Sequence, residues 1–166
     1  MTGATGEGQG GATLRLHATT VALGNAAAVL RGASGAGKSD LALRFLSAQS
    51  QFPGLATERG LVADDQTLLW VEQGCLMASA PEVIGGQIEV RGLGLVRTGH
   101  VGRARVRLAV DLVTAADVER FPLENETVEW LGHRVPVRRL APFEASAPLK
   151  LALWLGGLAD ADWLGT

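Results

Sequence analysis

The sequence is short of several things, and each shortage excludes a class of answer. It has one cysteine, Cys75. A lone thiol makes no internal disulfide and builds no thiolate metal cluster. Cys75 therefore reads as a small buried hydrophobe. No run of 18 apolar residues occurs, so no transmembrane helix is expected. The N-terminus lacks a basic stretch followed by an apolar one, the mark of a secretory signal. Charge of either sign is not in excess: the net charge is −2 and the pI about 5.9. That balance gives no reason to expect nucleic acid or an anionic membrane as a partner. Of the three histidines, His17, His100 and His133, no two stand at metal spacing with a carboxylate. The expectation is a soluble, cytoplasmic domain.

What is present is a globular composition. Hydrophobic residues make up 47% and charged residues 19% of the 166, enough for one self-sufficient core. Residues 1–12 have no apolar periodicity and read as a disordered tail, leaving 13–166 as one domain. Residues 14–23 read as one strand. Gly24 and Asn25 suit a hairpin turn into a second strand, 26–30. Residues 39–47 carry Leu41 and Phe45 at helical spacing, followed by a Phe-Pro-Gly breaker. Short strands are expected at 61–63, 67–71 and 87–90. Residues 75–86 fit no pattern clearly. Residues 101–113 alternate Arg103, Arg105 and Arg107 with Ala104, Val106 and Leu108, a half-exposed strand. A turn of helix is expected at 115–120, one or two strands at 128–137, and a closing helix at 147–155. Strands interleaved with two clear helices indicate an α/β fold, a mixed β-sheet with flanking helices. Trp70, Trp130, Trp154 and Trp163 read as core or subunit-contact residues, Trp154 being the best interface candidate.

The 22 glycines ask where backbone must approach something closely. Eight residues answer: Gly32, Ala33, Ser34, Gly35, Ala36, Gly37, Lys38 and Ser39 fit G-x-x-x-x-G-K-[ST] at every fixed position. The glycines let backbone N–H groups curl around a phosphate, and the following helix turns its positive end to it. Lys38 supplies a point charge, and Ser39 a hydroxyl for Mg²⁺. A strand before the loop and a helix after it give the right context. Asp64 and Asp65 end the strand 61–63, where carboxylates could hold Mg²⁺ and take a proton from an attacking hydroxyl. The antiparallel hairpin beside the loop, and the absence of an Asn-Lys-x-Asp sequence, argue against a small GTPase.

Four stretches together resemble the catalytic domain of the HPr kinase/phosphorylase family. His17 lies 21 residues before Lys38. The loop 32–39 is similar to the family's own. Leu61-Val62-Ala63-Asp64-Asp65 matches its Val-Ala-Asp-Asp stretch. Ile88-Glu89-Val90-Arg91-Gly92-Leu93-Gly94 matches its Glu-x-Arg-Gly-x-Gly signature, the most specific of the four. Val135-Pro136-Val137-Arg138 is a fifth, weaker match. The resemblance departs at Asp40, where the family has Glu, and the family's stretch after Pro-Val-Arg is not recognisable in 139–166.

The resemblance implies a P-loop kinase fold of the phosphoenolpyruvate carboxykinase-like type, without the family's usual N-terminal domain. It implies ATP and Mg²⁺ as cofactors, and phosphorylation of a seryl hydroxyl on the phosphocarrier protein HPr. Removal of that phosphate by phosphorolysis, with release of pyrophosphate, and a homo-oligomer are implied too. By position, Asp64 would be the base. Asp65, Ser39 and Glu89 would serve the metal, and His17 would tune the Asp pair. Arg120 would stand near the transferred phosphate. Apart from the resemblance, the stretch 90–110 has no Asp or Glu and reads equally as a solvated strand face or as a mobile loop, with Arg91, Arg97 and His100 among glycines, that meets the substrate. Two other readings stay open: a P-loop kinase of a small molecule, and a non-catalytic regulator that senses nucleotide.

Overall fold

The computed structural model describes residues 11–49, 52–56, 58–82, 85–121 and 125–157. Residues 1–10 of the expected tail, and Trp163, lie outside the described residues. In chain order the strands are β1 (Leu14–Leu16), β2 (Thr19–Leu23), β3 (Ala26–Arg31), β4 (Arg59–Ala63), β5 (Thr67–Glu72) and β6 (Cys75–Ser79). There follow β7 (Gln87–Val90), β8 (Gly94–Arg97), β9 (Ala104–Leu112), β10 (Thr127–Trp130) and β11 (His133–Leu140). Helix α1 is Lys38–Ser47 and α2 is Ala147–Leu155. The expected helical turn near 115 is a 3₁₀ turn, Ala115–Asp117.

The main sheet runs β1-β5-β6-β9-β3-β2-β4. It is mixed: β3 lies parallel to β9 and antiparallel to β2. β9 carries two neighbours along one edge. Ala104 and Arg105 pair with β6, whereas its last four residues pair in parallel with β11. The sheet therefore forks at β9, and β10 extends the β11 branch. β7 and β8 form a separate antiparallel hairpin.

The strand expected over 14–23 is two strands. β1 pairs with β5, and β2 pairs with β3 and β4. The chain bends at His17 and Ala18 to change partners, which leaves His17 exposed at the corner. The Gly24-Asn25 turn is as expected, with Gly24 at φ +59°, the sign that a two-residue hairpin loop demands of its glycine.

Successive side chains of the central strands point to opposite faces of the sheet. Val21, Leu30, Leu61 and Val110 face the helices and pack with Leu41, Phe45 and Leu151. Their neighbours Ala22, Val29, Val62 and Ala109 face the opposite way, against Leu69, Trp130, Val135 and Val137. A central strand with both faces covered reads as a continuous apolar run, which is why 26–30 shows no alternation. β9 alternates at its start, with Arg105 and Arg107 exposed, and becomes wholly buried at residues 108–110. Fully burying a ring such as Phe45 contributes about 1.5–3 kcal/mol, and α1 is held to the sheet by contacts of this kind. Cys75 is half-buried. Among the described residues no helix is long and apolar enough to cross a membrane.

Candidate active site

The centre of the sheet ends where β3 passes into the glycine loop. Gly35 and Gly37 have φ of +82° and +97°, values that L side chains rarely adopt. A side chain on Gly32 would strike Ala36, its Cβ lying 2.9 Å away. The loop is closed by the Ala36 N–H donating to the Ala33 carbonyl at 3.0 Å. Gly37 is the N-cap of α1, and no side chain caps that end. The first-turn N–H groups therefore face the cleft without an internal partner, as anion binding requires. Lys38 is 6% exposed. Its ammonium donates to the carbonyls of Gly32 and Ala33, at 2.8 and 2.9 Å. The lysine is thereby held under its own loop with one donor left over.

The carboxylates arrive from the end of β4. Asp64 is 8% exposed. Its Oδ1 accepts from Ser39 Oγ at 2.7 Å and Thr19 Oγ1 at 2.9 Å, and its Oδ2 from the Glu89 N–H at 2.9 Å. Burial of a carboxylate is tolerated because three donors surround it. Asp65 is different. Its backbone sits at φ +64°, a left-handed conformation that Asp tolerates better than most residues. That turn swings its side chain outward, where it is 63% exposed and stands 3.2 Å from His17 Nδ1. Thr19 ties the two together, since its hydroxyl also accepts from the Asp65 N–H at 3.3 Å.

These groups line one cleft of about 780 Å³. Of the residues singled out in the sequence, it brings together His17, Ser34, Gly35, Gly37, Lys38 and Ser39 with Asp64, Asp65, Glu89 and Arg91. Gly32, Ala33 and Ala36 complete the loop behind them. Three of the expected residues stand outside it. Arg97 ends strand β8 (94–97) and does not line the cleft, and neither does His100. His100 packs behind the hairpin against Gly85 and Gly86 and bridges to Leu61. Arg120 lies in a second cleft, with Glu119, Arg138 and Trp154. It stacks over Phe121, and is not at the glycine loop.

The residues fit Mg²⁺ held together with phosphate. Among the described residues no three His, Cys, Asp or Glu side chains converge as a cage. Mg²⁺ at a triphosphate needs none, since it takes one or two carboxylates plus phosphate oxygens and keeps waters. Ser39 Oγ, Asp64 and Glu89 are hard oxygen donors suited to that role.

The sequence profile described as HPr Serine kinase C-terminal domain matches residues 11–146. The chain belongs to that family. Curated members include the HPr kinase/phosphorylase of Bordetella pertussis, 36% identical over 123 residues, which are 68% of this chain and 36% of that protein. That of Caldanaerobacter subterraneus subsp. tengcongensis is 32% identical over 136 residues, 74% of this chain and 41% of that protein. The chain thus spans little more than a third of the length of the relatives it matches. A solved structure described as the Hpr(Ser) kinase/phosphatase from Coxiella burnetii superposes with a TM-score of 0.71 at 24% identity. The match covers 87% of this chain and 95% of that one. The α/β fold is therefore that of the HPr serine kinase C-terminal domain.

Within this family member, three features in or behind the cleft escaped the sequence. Thr19 reads as an ordinary strand residue until its hydroxyl is seen between the two aspartates. Leu43 gives a helix position no chemical signal. Phe143 lies in a stretch, 141–146, with no recognisable motif, yet its ring borders the glycine loop.

Proposed function

We propose that this chain is a kinase domain that uses ATP and Mg²⁺ to phosphorylate a seryl hydroxyl of the phosphocarrier protein HPr. One observation carries the reading. A single cleft has a phosphate-binding loop joined to a buried carboxylate by the 2.7 Å Ser39–Asp64 bond, and an exposed carboxylate, Asp65, at its mouth. A nucleotide switch needs the first. Transfer to a hydroxyl on another protein needs both. The names of the relatives support HPr as that protein.

The hydrogen bonding supports a role split opposite to the one expected from the sequence. Asp64 is occupied by three donors and is buried, so it suits the metal shell with Ser39 and Glu89. Asp65 is open and paired with His17, so it suits the base. The loop N–H groups and Lys38 hold the triphosphate. Bound Mg²⁺ would offset charge gathering on the transferred phosphoryl. Asp65 takes the serine proton as the serine oxygen bonds to the γ-phosphorus and the bond to the β-phosphate oxygen breaks, releasing ADP. In reverse, inorganic phosphate attacks the phosphoserine phosphorus. Asp65 then returns the proton to the serine oxygen, and pyrophosphate leaves. A homo-oligomer and a cytoplasmic location belong to the same reading, through the family resemblance.

The test is transfer from ATP and Mg²⁺ to HPr of the same organism, read by intact mass. The wild-type chain should add one phosphate to a seryl residue, and Lys38→Ala should add none. Asp65→Asn should still bind nucleotide yet lose transfer by about 100-fold or more. Asp64→Asn should weaken Mg-nucleotide binding itself. Near-normal transfer by Asp65→Asn would sink the base assignment. Binding of ATP with no transfer would move the weight to a nucleotide-sensing regulator, or to a small-molecule substrate.

A further inference from the structure

Phe143 breaks the rule that large apolar side chains are covered. It is 70% exposed and stands at the edge of the glycine-loop cleft. It is nevertheless not loosely held. Arg44 donates to the carbonyls of Pro142 and Glu144, the residues on either side, and its Nε donates to Asp40 at 2.9 Å. Glu144 is further tied to Lys150 at 2.5 Å. The ring edge rests on Gly37. A Cβ there would lie 2.9 Å from Phe143 Cζ and 3.1 Å from Cε1. Glycine at the end of the loop thus serves two needs: its positive φ, and room for the ring.

An exposed aromatic ring whose backbone is fixed on both sides by one guanidinium, beside the glycine loop, is placed to receive something flat. The same cleft is lined by the charged Asp65 and His17, and Phe143 is its only aromatic ring among the described residues besides the His17 imidazole. We propose that Phe143 is the platform on which the nucleobase of the bound nucleotide stacks. The proposal rests on reading the cleft as a nucleoside triphosphate site. It adds where the base goes and how it is chosen. Stacking on a ring reads the π-face and not the hydrogen-bonding edge. The site therefore favours purines over pyrimidines and separates adenine from guanine only weakly.

The test compares ADP with pyrophosphate, which lacks the base, by titration calorimetry in Mg²⁺. Phe143→Ala should weaken ADP about tenfold and leave pyrophosphate within about twofold. Phe143→Trp should hold ADP within about twofold of wild type. Retained pyrophosphate binding also shows that the loop remains folded in the variant. Unchanged ADP affinity in Phe143→Ala would overturn the platform, as would equal weakening of ADP and pyrophosphate, which would make the ring a support for the loop. Wild-type protein that binds pyrophosphate no more weakly than ADP overturns the platform alone. Wild-type protein that binds neither overturns the nucleotide-site reading with it.

Discussion

Thr19 is the residue on which both aspartates depend. Its hydroxyl donates to Asp64 Oδ1 and accepts from the Asp65 N–H, and it is completely buried. Thr19→Val keeps the shape and removes both bonds. The Asp65 N–H then loses its partner, and Asp64 keeps two donors of three. Leaving buried polar groups short of partners costs about 1–3 kcal/mol, which urea unfolding would read. Transfer should fall further than stability, because the left-handed turn that aims Asp65 outward is no longer tied down. Thr19→Ser should recover most of both. A Thr19→Val protein with normal stability and normal transfer would show that the aspartates are placed by the β4–β5 turn alone. None of this was visible in the sequence, where Thr19 and Thr20 are two β-branched residues in a strand. Lys38 and Ser39 were visible because the spacing of a phosphate loop is local. A hydroxyl reaching across 45 positions to Asp64 is not.

At the scale of elements, β4 is tightly packed where Gly60 runs against Val101. A Cβ on Gly60 would lie 2.2 Å from Val101 Cγ2. The two segments are also joined by the Leu61 N–H to the Gly99 carbonyl at 3.1 Å and the Val101 N–H to the Leu61 carbonyl at 2.9 Å. Gly60→Ala should therefore destabilise by about 1–3 kcal/mol, as overpacking does. Val101→Ala in the same chain should restore most of it. Equal losses in the single and double variants would locate the strain elsewhere. The same contact explains what was legible among the elements. Helix α1, the β2–β3 hairpin and α2 are written in local periodicity and turn residues, and they appear where expected. The break at His17 is written in which strands β1 and β2 find as neighbours, and those neighbours are distant in sequence. β8 was missed because Gly94 and a run of glycines around 92–102 look like a loop. Pairing with β7 makes a strand of it. His100, expected at the substrate, is drawn behind the hairpin by the same closure against β4.

At the scale of the whole molecule, the cleft is where the main sheet and the separate β7–β8 hairpin meet. β3 delivers the glycine loop, β4 the aspartates, and β7 the Glu89 N–H that completes the shell of Asp64. A ligand gripping all three binds the folded chain and not the unfolded one, so it must raise stability. At a nucleotide concentration about 100 times its Kd the gain is about 2.7 kcal/mol. For a domain of this size that is a rise in Tm of about 5–10 °C. The rise should need Mg²⁺ for its full extent, because under the proposed function the oxygens of Ser39 and Asp64 would hold that ion beside the phosphates. Lys38→Ala should lose nearly all of it. Arg120→Ala should keep it, since that side chain lies in the second cleft with Glu119, Arg138 and Trp154. A shift that survives Lys38→Ala undiminished would put the nucleotide somewhere other than the glycine loop. A shift lost in Arg120→Ala would mean that the second cleft communicates with the first through β11, which pairs with β9 and so reaches the strand beside β3.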